Sequence, residues 1–330
     1  MNILSLFDGM SCGQIASILA GFKIDKYYAS EIDKYAIAVT QANYPETIQL
    51  GSVTNWREWD LPKIDLLIGG SPCQGFSFAG KRLAFDDPRS RLFFEYVNCL
   101  RHFRPKYFLL ENVRMGKVHQ DVISEYLGIE PICINSSLVS AQNRVRLYWC
   151  NWGVSQPKDK GLVLADILED GFADRDKSHC LDANYFKGSS EDCYKKKNRR
   201  QIIYTGCAVR GRNTSPENTA QTLEFRLDGK ANAITTVSKD SMVGIRVLSN
   251  GEGYPPTLVD NPEEKSYRKL TPEECERLQT VPVGYTDFVS TTRRYQMLGN
   301  GWTVDVIAHL LGEIAKGKPA RPFQKQMVLL

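Results

Sequence analysis

The stretch ILSLFDGMSCGQIASILA, residues 3–20, predicts a strand, a short loop and a helix in immediate succession. Residues 3–7 form an apolar run typical of a buried strand, and residues 13–20 have the apolar spacing of a helix. The loop DGMSCG leads directly into the helix N-terminus, which presents backbone N–H groups and a positive dipole end to a ligand. Glycines at this spacing also occur in purely structural turns. The stretch therefore favours an α/β fold and leaves two interpretations of its loop, a ligand site or a turn.

The alternation of short apolar runs and amphipathic stretches continues through the first half of the chain. Further strands are predicted at residues 27–30, 65–68, 107–110, 132–135 and 146–150, and helices at 34–43, 91–103 and 119–127. This pattern predicts a doubly wound parallel sheet with right-handed crossovers.

A change of composition near Asn151 marks a second module. The following residues are richer in Gly, Asn, Ser and Lys, with short β-like runs at 202–205 and 233–237. An apolar-faced helix at 303–314 is expected to return and pack on the first module. We therefore divide the chain into residues 1–153 plus 300–330 and a smaller β-rich module, residues 154–299, which includes the return hinge.

Composition limits the class of protein. The 330 residues are 42% apolar and 24% charged, as in ordinary globular proteins. No apolar run approaches the roughly 18 residues that span a bilayer, and the N-terminus lacks the basic start of a signal peptide. We therefore expect a cytoplasmic protein that does not contact the membrane, with its 9 cysteines reduced. No CxxC pair is present, so no metal site is expected, and a net charge of +4 means that any nucleic-acid contact depends on local patches.

The second predicted strand ends in the sequence SEID, residues 30–33. An acid at this place holds a ribose hydroxyl in nucleotide-binding folds, so Glu31 would take the ribose and Ile32 would cover the base. The alternative is a solvated loop acid. The glycine spacing differs from G-x-G-x-x-G, which favours an adenosine ligand without a diphosphate, such as S-adenosylmethionine, over NAD.

The sequence GGSPCQGFSF, residues 69–78, follows another apolar strand. Gly69 and Gly70 are expected to let the chain turn sharply and approach another group closely. Pro72 fixes its own φ and favours an extended Ser71, which would hold Cys73 rigidly at the carboxyl end of the strand. Cys73 is then either a nucleophile, which needs partners elsewhere, or a small buried hydrophobe.

Partners for Cys73 are present in three further stretches. FLLENV ends a predicted strand with Glu111, and QNRVRLYW places Gln142, Arg144 and Arg146 in alternation, so that all three would share one face of a strand. YQMLGNGWT places Asn300 between glycines ahead of the last helix. Each has a structural alternative, an ion pair between Glu111 and Arg146 or an N-cap at Asn300, but their joint occurrence favours a site.

In combination and in order, eight stretches resemble the DNA cytosine-5 methyltransferase family of the bacterial and phage type: FDGMSCG, EIDKYA, GGSPCQGFS, RLFFEYV, LLENV, QNRVRLYW, RKLTPEECERLQ and MLGNGWTV. The resemblance implies a Rossmann-like S-adenosylmethionine-dependent methyltransferase domain and a β-rich target-recognition domain. It also implies methyl transfer to C5 of a flipped-out cytosine in a specific double-stranded DNA sequence, through a covalent adduct of Cys73 with C6. Alternatives are a relative that acts on RNA and a catalytically silent DNA-binding relative.

The resemblance implies a role for each candidate residue. Cys73 would be the nucleophile, Glu111 would protonate N3, Arg146 would hold O2, and Arg144 would add electrostatic support. The residues expected to bind the cofactor are Phe7, Asp8, Gly9, Ser11, Gly13, Glu31, Ile32, Ser52, Val53, Pro72, Leu92 and Asn300. Those expected to contact DNA are Gln74, Ser77, Lys81, Arg82, Arg89, Lys195, Lys196, Lys197, Arg210, Thr235 and Thr236.

Two positions depart from the family pattern. Ser52 stands where the family has an aspartate that accepts from the adenine amino group, and Ala79 stands where some relatives carry a polar residue that fills the space left by the flipped base. The expected partners are double-stranded DNA and a cognate restriction endonuclease, with the protein acting as a monomer.

Overall fold

A mixed seven-stranded sheet organises the first module. The computed structural model describes residues 1–71, 91–171, 173–188, 194, 197, 199–204, 207–215, 218–225 and 267–323. The strands are β1 (Asn2–Leu6), β2 (Lys26–Ser30), β3 (Ile48–Gln49), β4 (Leu66–Gly70), β5 (Tyr107–Val113), β6 (Ile132–Asn135) and β7 (Val145–Cys150). Their spatial order is β3-β2-β1-β4-β5-β7-β6.

The predicted parallel pairing is correct for one part of the sheet and wrong for the other. Strands β3, β2, β1, β4 and β5 are parallel neighbours, whereas β7 runs antiparallel to both β5 and β6. A parallel connection needs a crossover of about a dozen residues or more, and residues 136–144 between β6 and β7 are too few. The short link therefore reverses the chain direction at this edge.

Seven helices accompany the strands in the described ranges: α1 (Cys12–Leu19), α2 (Lys34–Asn43), α3 (Arg91–Phe103), α4 (Lys117–Leu127), α5 (Pro272–Leu278), α6 (Thr291–Asn300) and α7 (Val304–Ala315). Helix α7 packs against α1, as the sequence predicts. Helices α5 and α6 were not predicted. The start of α5 nevertheless has a clear signal, because Thr271 and Glu274 form a capping box and Pro272 is the first helical residue.

Alternating strand residues build one apolar core on each face of the sheet. Ile3 and Ile68 belong to the core that also holds buried side chains of α1, α2, α5, α6 and α7. Leu4 and Leu67 point into the other core, with α3 and α4. Helices on both faces make this the doubly wound arrangement that the alternation predicts. The first core also contains buried residues from the second half of the chain, among them Tyr185 and Tyr295.

Four further strands lie in the second half of the described chain. Strand β8 (Ile202–Tyr204) pairs antiparallel with β11 (Tyr267–Lys269), and β9 (Cys207–Ser215) pairs antiparallel with β10 (Asn218–Phe225). The predicted run at 202–205 is a strand over Ile202–Tyr204, whereas its last residue and the run at 233–237 lie outside the described residues. None of the helices in the described ranges combines the length and the apolar character needed to cross a membrane.

Candidate active site

The loop after β1 has an unusual backbone. Phe7, Gly9 and Ser11 all lie at positive φ, with values of 57°, 60° and 59°. This conformation costs a non-glycine residue about 1–2 kcal/mol, so two of these positions must be held in place by their surroundings. Ser11 is followed directly by α1, and the loop lies at the carboxyl edge of the parallel strands. In open α/β sheets this edge is where ligands bind.

Glu31 holds the loop against the end of β2. Its Oε2 accepts from the backbone N–H of Gly9 at 2.7 Å, and its Oε1 accepts from those of Ile32 and Asp33 at 2.7 and 2.8 Å. A carboxylate offers about four lone-pair sites, so Glu31 retains acceptor capacity beside the loop. The neighbouring Ile32 side chain is 77% exposed, which leaves an apolar surface open at the predicted cofactor position.

Asp8 closes the inner side of the same loop. Its carboxylate accepts from the Tyr27 hydroxyl at 2.8 Å and from the Ser11 hydroxyl, and Ser11 Oγ accepts in turn from Thr40 Oγ1 at 3.0 Å. Burial raises the pKa of Asp8 to about 6, against the lowering effect of these hydroxyl donors. The loop therefore contains a carboxyl group that titrates near neutral pH.

Ser52 follows β3, at the same edge of the sheet as the end of β2. Its Oγ is 2.8 Å from Thr54 Oγ1 and accepts from the Thr54 N–H at 3.3 Å, which caps the 3₁₀ helix Val53–Glu58. The Ser30 hydroxyl donates to the carbonyl of Gly51 at 2.8 Å, so the ends of β2 and β3 are joined. Val53 is buried in the second core, and Leu92 packs against that core from α3.

Gly69 and Gly70 belong to β4, so the predicted sharp turn at these glycines is wrong. The predicted close approach is correct. A Cβ on Gly69 would lie 3.1 Å from the ring of Tyr96, and one on Gly70 would lie 2.9 Å from Glu111 Oε2 and 3.0 Å from Trp302 Nε1. The glycines therefore admit side chains from α3, β5 and the segment before α7.

Glu111 lies on β5 opposite Gly70, at the same edge of the sheet. Its Oε1 is 3.1 Å from Arg146 Nε, and its Oε2 accepts from Trp302 Nε1 at 3.0 Å. Burial alone lowers the pKa of Arg146, but the charge of the neighbouring Glu111 outweighs this effect and raises that pKa above its ordinary value. The ion pair considered as a structural alternative is thus present, and it lies within the candidate site.

Trp302 was not singled out by the sequence analysis. One sequence feature points to Trp302. It directly follows the sequence GNG, whose Asn300 is predicted to bind the cofactor. An indole donor to an acid 191 positions away has no periodic signature in the sequence.

Arg144 and Gln142 precede β7, which begins at Val145, so they do not alternate with Arg146 along a strand as predicted. The buried Arg144 guanidinium donates to the carbonyls of Leu181 at 3.0 Å and Gly301 at 2.8 Å, and to that of Gly299 at 3.3 Å. Burial, followed by the charge of Arg146, lowers its pKa. Arg144 therefore fastens the GNG segment to the site.

Gln142 has a similar fastening role. It donates through Nε2 to the carbonyl of Leu278 at 2.7 Å and to Gln279 Oε1 at 3.0 Å. The residues that precede β7 therefore anchor the segments around α5 and α6 to the first module.

Asn300 is the last residue of α6 and is exposed. The residue that caps α7 is Thr303, so the interpretation of Asn300 as an N-cap is wrong. The neighbouring Gly299 is sterically required, because a Cβ there would lie 2.3 Å from the backbone carbon of Asp182.

Comparison with known proteins identifies the arrangement. The family described as C-5 cytosine-specific DNA methylase matches residues 1–125 and 138–316. The chain belongs to this family.

Among its curated relatives is the type II methyltransferase M1.ScrFI of Lactococcus lactis subsp. cremoris, 30% identical over 317 residues, 88% of this chain and 72% of that protein. The type II methyltransferase M.HpaII of Haemophilus parainfluenzae is 30% identical over 332 residues, 93% of this chain and 87% of that protein. The orphan methyltransferase M.Rho11sI of Bacillus phage rho11s is 32% identical over 274 residues, 77% of this chain, which spans about half (53%) of its length.

Among solved structures, the Entamoeba histolytica methyltransferase EhMeth superposes with a TM-score of 0.64 at 15% identity, over 96% of this chain and 98% of that one. This likeness supports the fold. The family, its bacterial and phage type, and the S-adenosylmethionine-dependent methylation of DNA at cytosine C5 are therefore as the sequence predicts.

Several predicted site residues of this methylase lie outside the described residues or are described only in part. Those outside are Pro72, Cys73, Gln74, Ser77, Lys81, Arg82, Arg89, Lys195, Lys196, Thr235 and Thr236. Lys197 is exposed, and Arg210 falls within strand β9. The structure thus describes the first loop and the group Glu111, Arg146 and Trp302, while the nucleophile and most of the DNA contacts stay predictions.

Proposed function

We propose that this methylase modifies a flipped-out cytosine in a specific double-stranded DNA sequence through a covalent bond between Cys73 Sγ and C6. The contact that carries the proposal is Glu111, held on both oxygens at the strand edge that leads to Cys73. Gly70 pairs with Glu111 across β4 and β5, and Cys73 follows Gly70 by three positions. Asn112 Nδ2 donates to the carbonyl of Ser71 at 3.3 Å, which fastens the chain between them.

The chemistry assigns one step to each residue. The Cys73 thiolate adds to C6, the ring electrons become available at C5, and Glu111 delivers a proton to N3. S-adenosylmethionine supplies the methyl group that C5 attacks. Water then removes the C5 proton, the C6–sulfur bond breaks so that Cys73 leaves as a thiolate, and N3 returns its proton to Glu111. Because the target atom is inaccessible inside a duplex, the cytosine must leave the stack first.

Arg146 is suited to hold O2 of that cytosine. Its Nε is occupied by Glu111 and its Nη1 by the carbonyl of Val145 at 2.9 Å. Toward the residues that the structure describes, Nη2 makes only a long contact of 3.9 Å with Cys180 Sγ. A carbonyl oxygen on Nη2 would replace that weak contact with a charge-assisted hydrogen bond. The nearby Arg144 would add positive charge.

The cofactor is proposed to lie at the loop after β1. Residues Phe7, Asp8, Gly9, Ser11 and Gly13 would surround its methionine part, and Glu31, Ile32, Ser52, Val53, Pro72, Leu92 and Asn300 its adenosine and remaining contacts. The fit rests on the spare acceptor capacity of Glu31 and on the exposed Ile32 side chain. Ser52 offers a hydroxyl already shared with Thr54, a weaker acceptor for adenine than a carboxylate.

The smaller module is proposed to read the DNA sequence, with residues 1–153 plus 300–330 as the catalytic domain and residues 154–299 as the target-recognition domain and return hinge. The lysine run 195–197 would bind phosphates. We further propose that the protein acts as a monomer in the cytoplasm and is accompanied by a cognate restriction endonuclease. Six of the cysteines, Cys12, Cys99, Cys133, Cys150, Cys180 and Cys275, are free thiols, which suits a reducing compartment.

Covalent trapping tests this proposal. Duplex DNA containing 5-fluorocytosine should form a stable adduct with the wild-type protein and S-adenosylmethionine, because the fluorine cannot be eliminated. The Cys73→Ser variant should form none, since a hydroxyl is a far weaker nucleophile than a thiolate at neutral pH. Transfer RNA that contains 5-fluorocytosine is tested in parallel as the alternative substrate. An adduct with RNA alone, or one that persists in Cys73→Ser, would overturn the assignment, and a wild type that binds duplex DNA without any adduct would identify a silent relative.

A further inference from the structure

We infer that Trp302 is a positioning residue for the proposed cytosine-protonating acid. The inference rests on the proposed function of Glu111 and adds a second partner for it. Trp302 Nε1 donates to Glu111 Oε2 at 3.0 Å, while Arg146 Nε lies 3.1 Å from the other oxygen. A single donor leaves a carboxylate free to rotate about its last bond, whereas one donor on each oxygen fixes its plane. The carboxyl group is thereby aimed before the base arrives.

Two glycines beside the Trp302 indole leave room for its ring. A Cβ on Gly70 of β4 would lie 3.0 Å from Trp302 Nε1, and a Cβ on Gly13 of α1 would lie 3.4 Å from Trp302 Cζ3. Alanine at Gly70 would also lie 2.9 Å from Glu111 Oε2, in the path of the hydrogen bond itself. The ring therefore occupies the gap between the first helix and the strand that leads to Cys73.

The backbone on both sides of Trp302 is held independently. Arg144 Nη2 donates to the carbonyl of Gly301 at 2.8 Å, and Thr303 Oγ1 donates to Gln279 Oε1 at 3.0 Å. The N–H of Val304 donates to the carbonyl of Gln279 at 2.9 Å. Since the chain is fixed before and after the tryptophan, the indole can hold the carboxylate in a set orientation.

The arrangement also links two sites. Trp302 lies against Gly13, in the first turn of the helix that follows the cofactor loop, and it binds the acid of the cytosine site through its N–H. The indole thus forms part of the wall between the two substrates of the reaction. The aromatic ring of Trp302 forms the wall, and its N–H binds Glu111. A substitution that keeps the ring and removes the N–H therefore separates the two roles.

The test replaces Trp302 with phenylalanine, which keeps an aromatic ring and removes the donor. We expect the single-turnover rate of DNA methylation to fall about 10- to 100-fold, the usual cost of a hydrogen bond to a charged group. KM for the duplex and the affinity for S-adenosylmethionine should stay within about two-fold, because Phe retains the wall. Trp149→Phe is the matched control, since it also removes a buried indole donor, to Ser124 Oγ at 3.0 Å, in the opposite core. Its rate should not change.

A double-mutant cycle separates positioning from a general structural effect. In a Glu111→Ala background the Trp302→Phe change should cost less than about two-fold, because the acceptor is gone. An equal fall of the single-turnover rate in both backgrounds would overturn the inference. A change confined to a higher KM would also overturn it. If Trp302→Phe does not fold, Gly70→Ala replaces it, since its methyl group would separate the indole from the carboxylate and must show the same dependence on Glu111. A wild type without a DNA adduct would instead contradict the proposed function.

Discussion

Replacing Arg144 with methionine tests whether this arginine supports the site by holding the backbone. Its guanidinium donates to three buried or partly buried carbonyls, those of Leu181, Gly299 and Gly301. A buried acceptor left without a donor costs about 1–3 kcal/mol. Methionine keeps most of the apolar stem, and the carbonyl of Gly301 keeps a longer contact of 3.4 Å from Gln279 Nε2. The loss is therefore mainly that of the hydrogen bonds, about 3–5 kcal/mol in total.

The matching change at Arg146 should behave differently. Its loss removes one contact of Glu111 but leaves the N–H of Trp302 on the other oxygen. The Arg146 side chain is 15% exposed, and its backbone acceptor within the described residues is the adjacent Val145. We expect Arg146→Met to lower the free energy of unfolding by less than about 2 kcal/mol. The chemical step should slow by roughly 10²–10³-fold, as for the loss of an electrostatic donor to a developing charge.

Thermal unfolding and single-turnover kinetics measure the two effects. At about 2–3 °C per kcal/mol, Arg144→Met should lower Tm by about 6–15 °C, and Arg146→Met by less than about 5 °C. Arg144→Lys should recover little, because one ammonium group cannot reach carbonyls that a planar fork serves together. A Tm for Arg144→Met within about 2 °C of wild type would refute the reasoning, as would equal losses for the two methionine variants.

Two further predictions concern a glycine and an aspartate. Gly299→Ala should lower the free energy of unfolding by more than about 2 kcal/mol in a denaturant titration, because its Cβ would lie 2.3 Å from the backbone of Asp182. Gly312→Ala, in the middle of α7 with open space around it, should raise it by about 0.5–1 kcal/mol, and the same sign for both would contradict the steric argument. Because burial raises the pKa of Asp8 from 3.8 to about 6, the folded state takes up the proton, and stability should fall as pH rises between these values, by up to about 1.4 kcal/mol per pH unit. Asp8→Asn should lose this slope in Tm measured against pH, and an unchanged slope would exclude Asp8 as its source.

The sequence located the parts of the fold that depend on local burial. Apolar runs such as residues 66–68, within the predicted run 65–68, are strands because every side chain in them is buried on one face of the sheet or the other. The direction of β7 was missed, although the nine-residue link before it argues against a parallel crossover. That error came from extending a pattern of strand and helix beyond the last helix that supports it.

The sequence predicts which residues belong to the candidate site, but it does not predict their contacts and distances. Glu111 and Arg146 were proposed from their motifs, and the structure brings them into contact. The functions of Arg144 and Trp302 depend on partners more than 30 positions away in the chain, at Leu181, Gly299 and Glu111. Periodicity reports which face a residue occupies, but it carries no information about which distant atom that face meets.

The glycines of the motifs show how such distant contacts leave a trace in the sequence after all. Gly9 has a positive φ with open space around it, so its backbone conformation explains it. Gly13, Gly70, Gly299 and Gly301 are not among the glycines with positive φ, and a Cβ at any of them would lie within 3.4 Å of another part of the site. These four positions therefore require glycine because another segment packs closely against them, and not because the backbone needs a positive φ. Since each one meets a segment that carries another motif or the Asp182 turn, the motifs require one another sterically. A chain that kept Glu111 and Arg146 but lost one of these glycines would keep the chemical groups and lose the distances that make them a site.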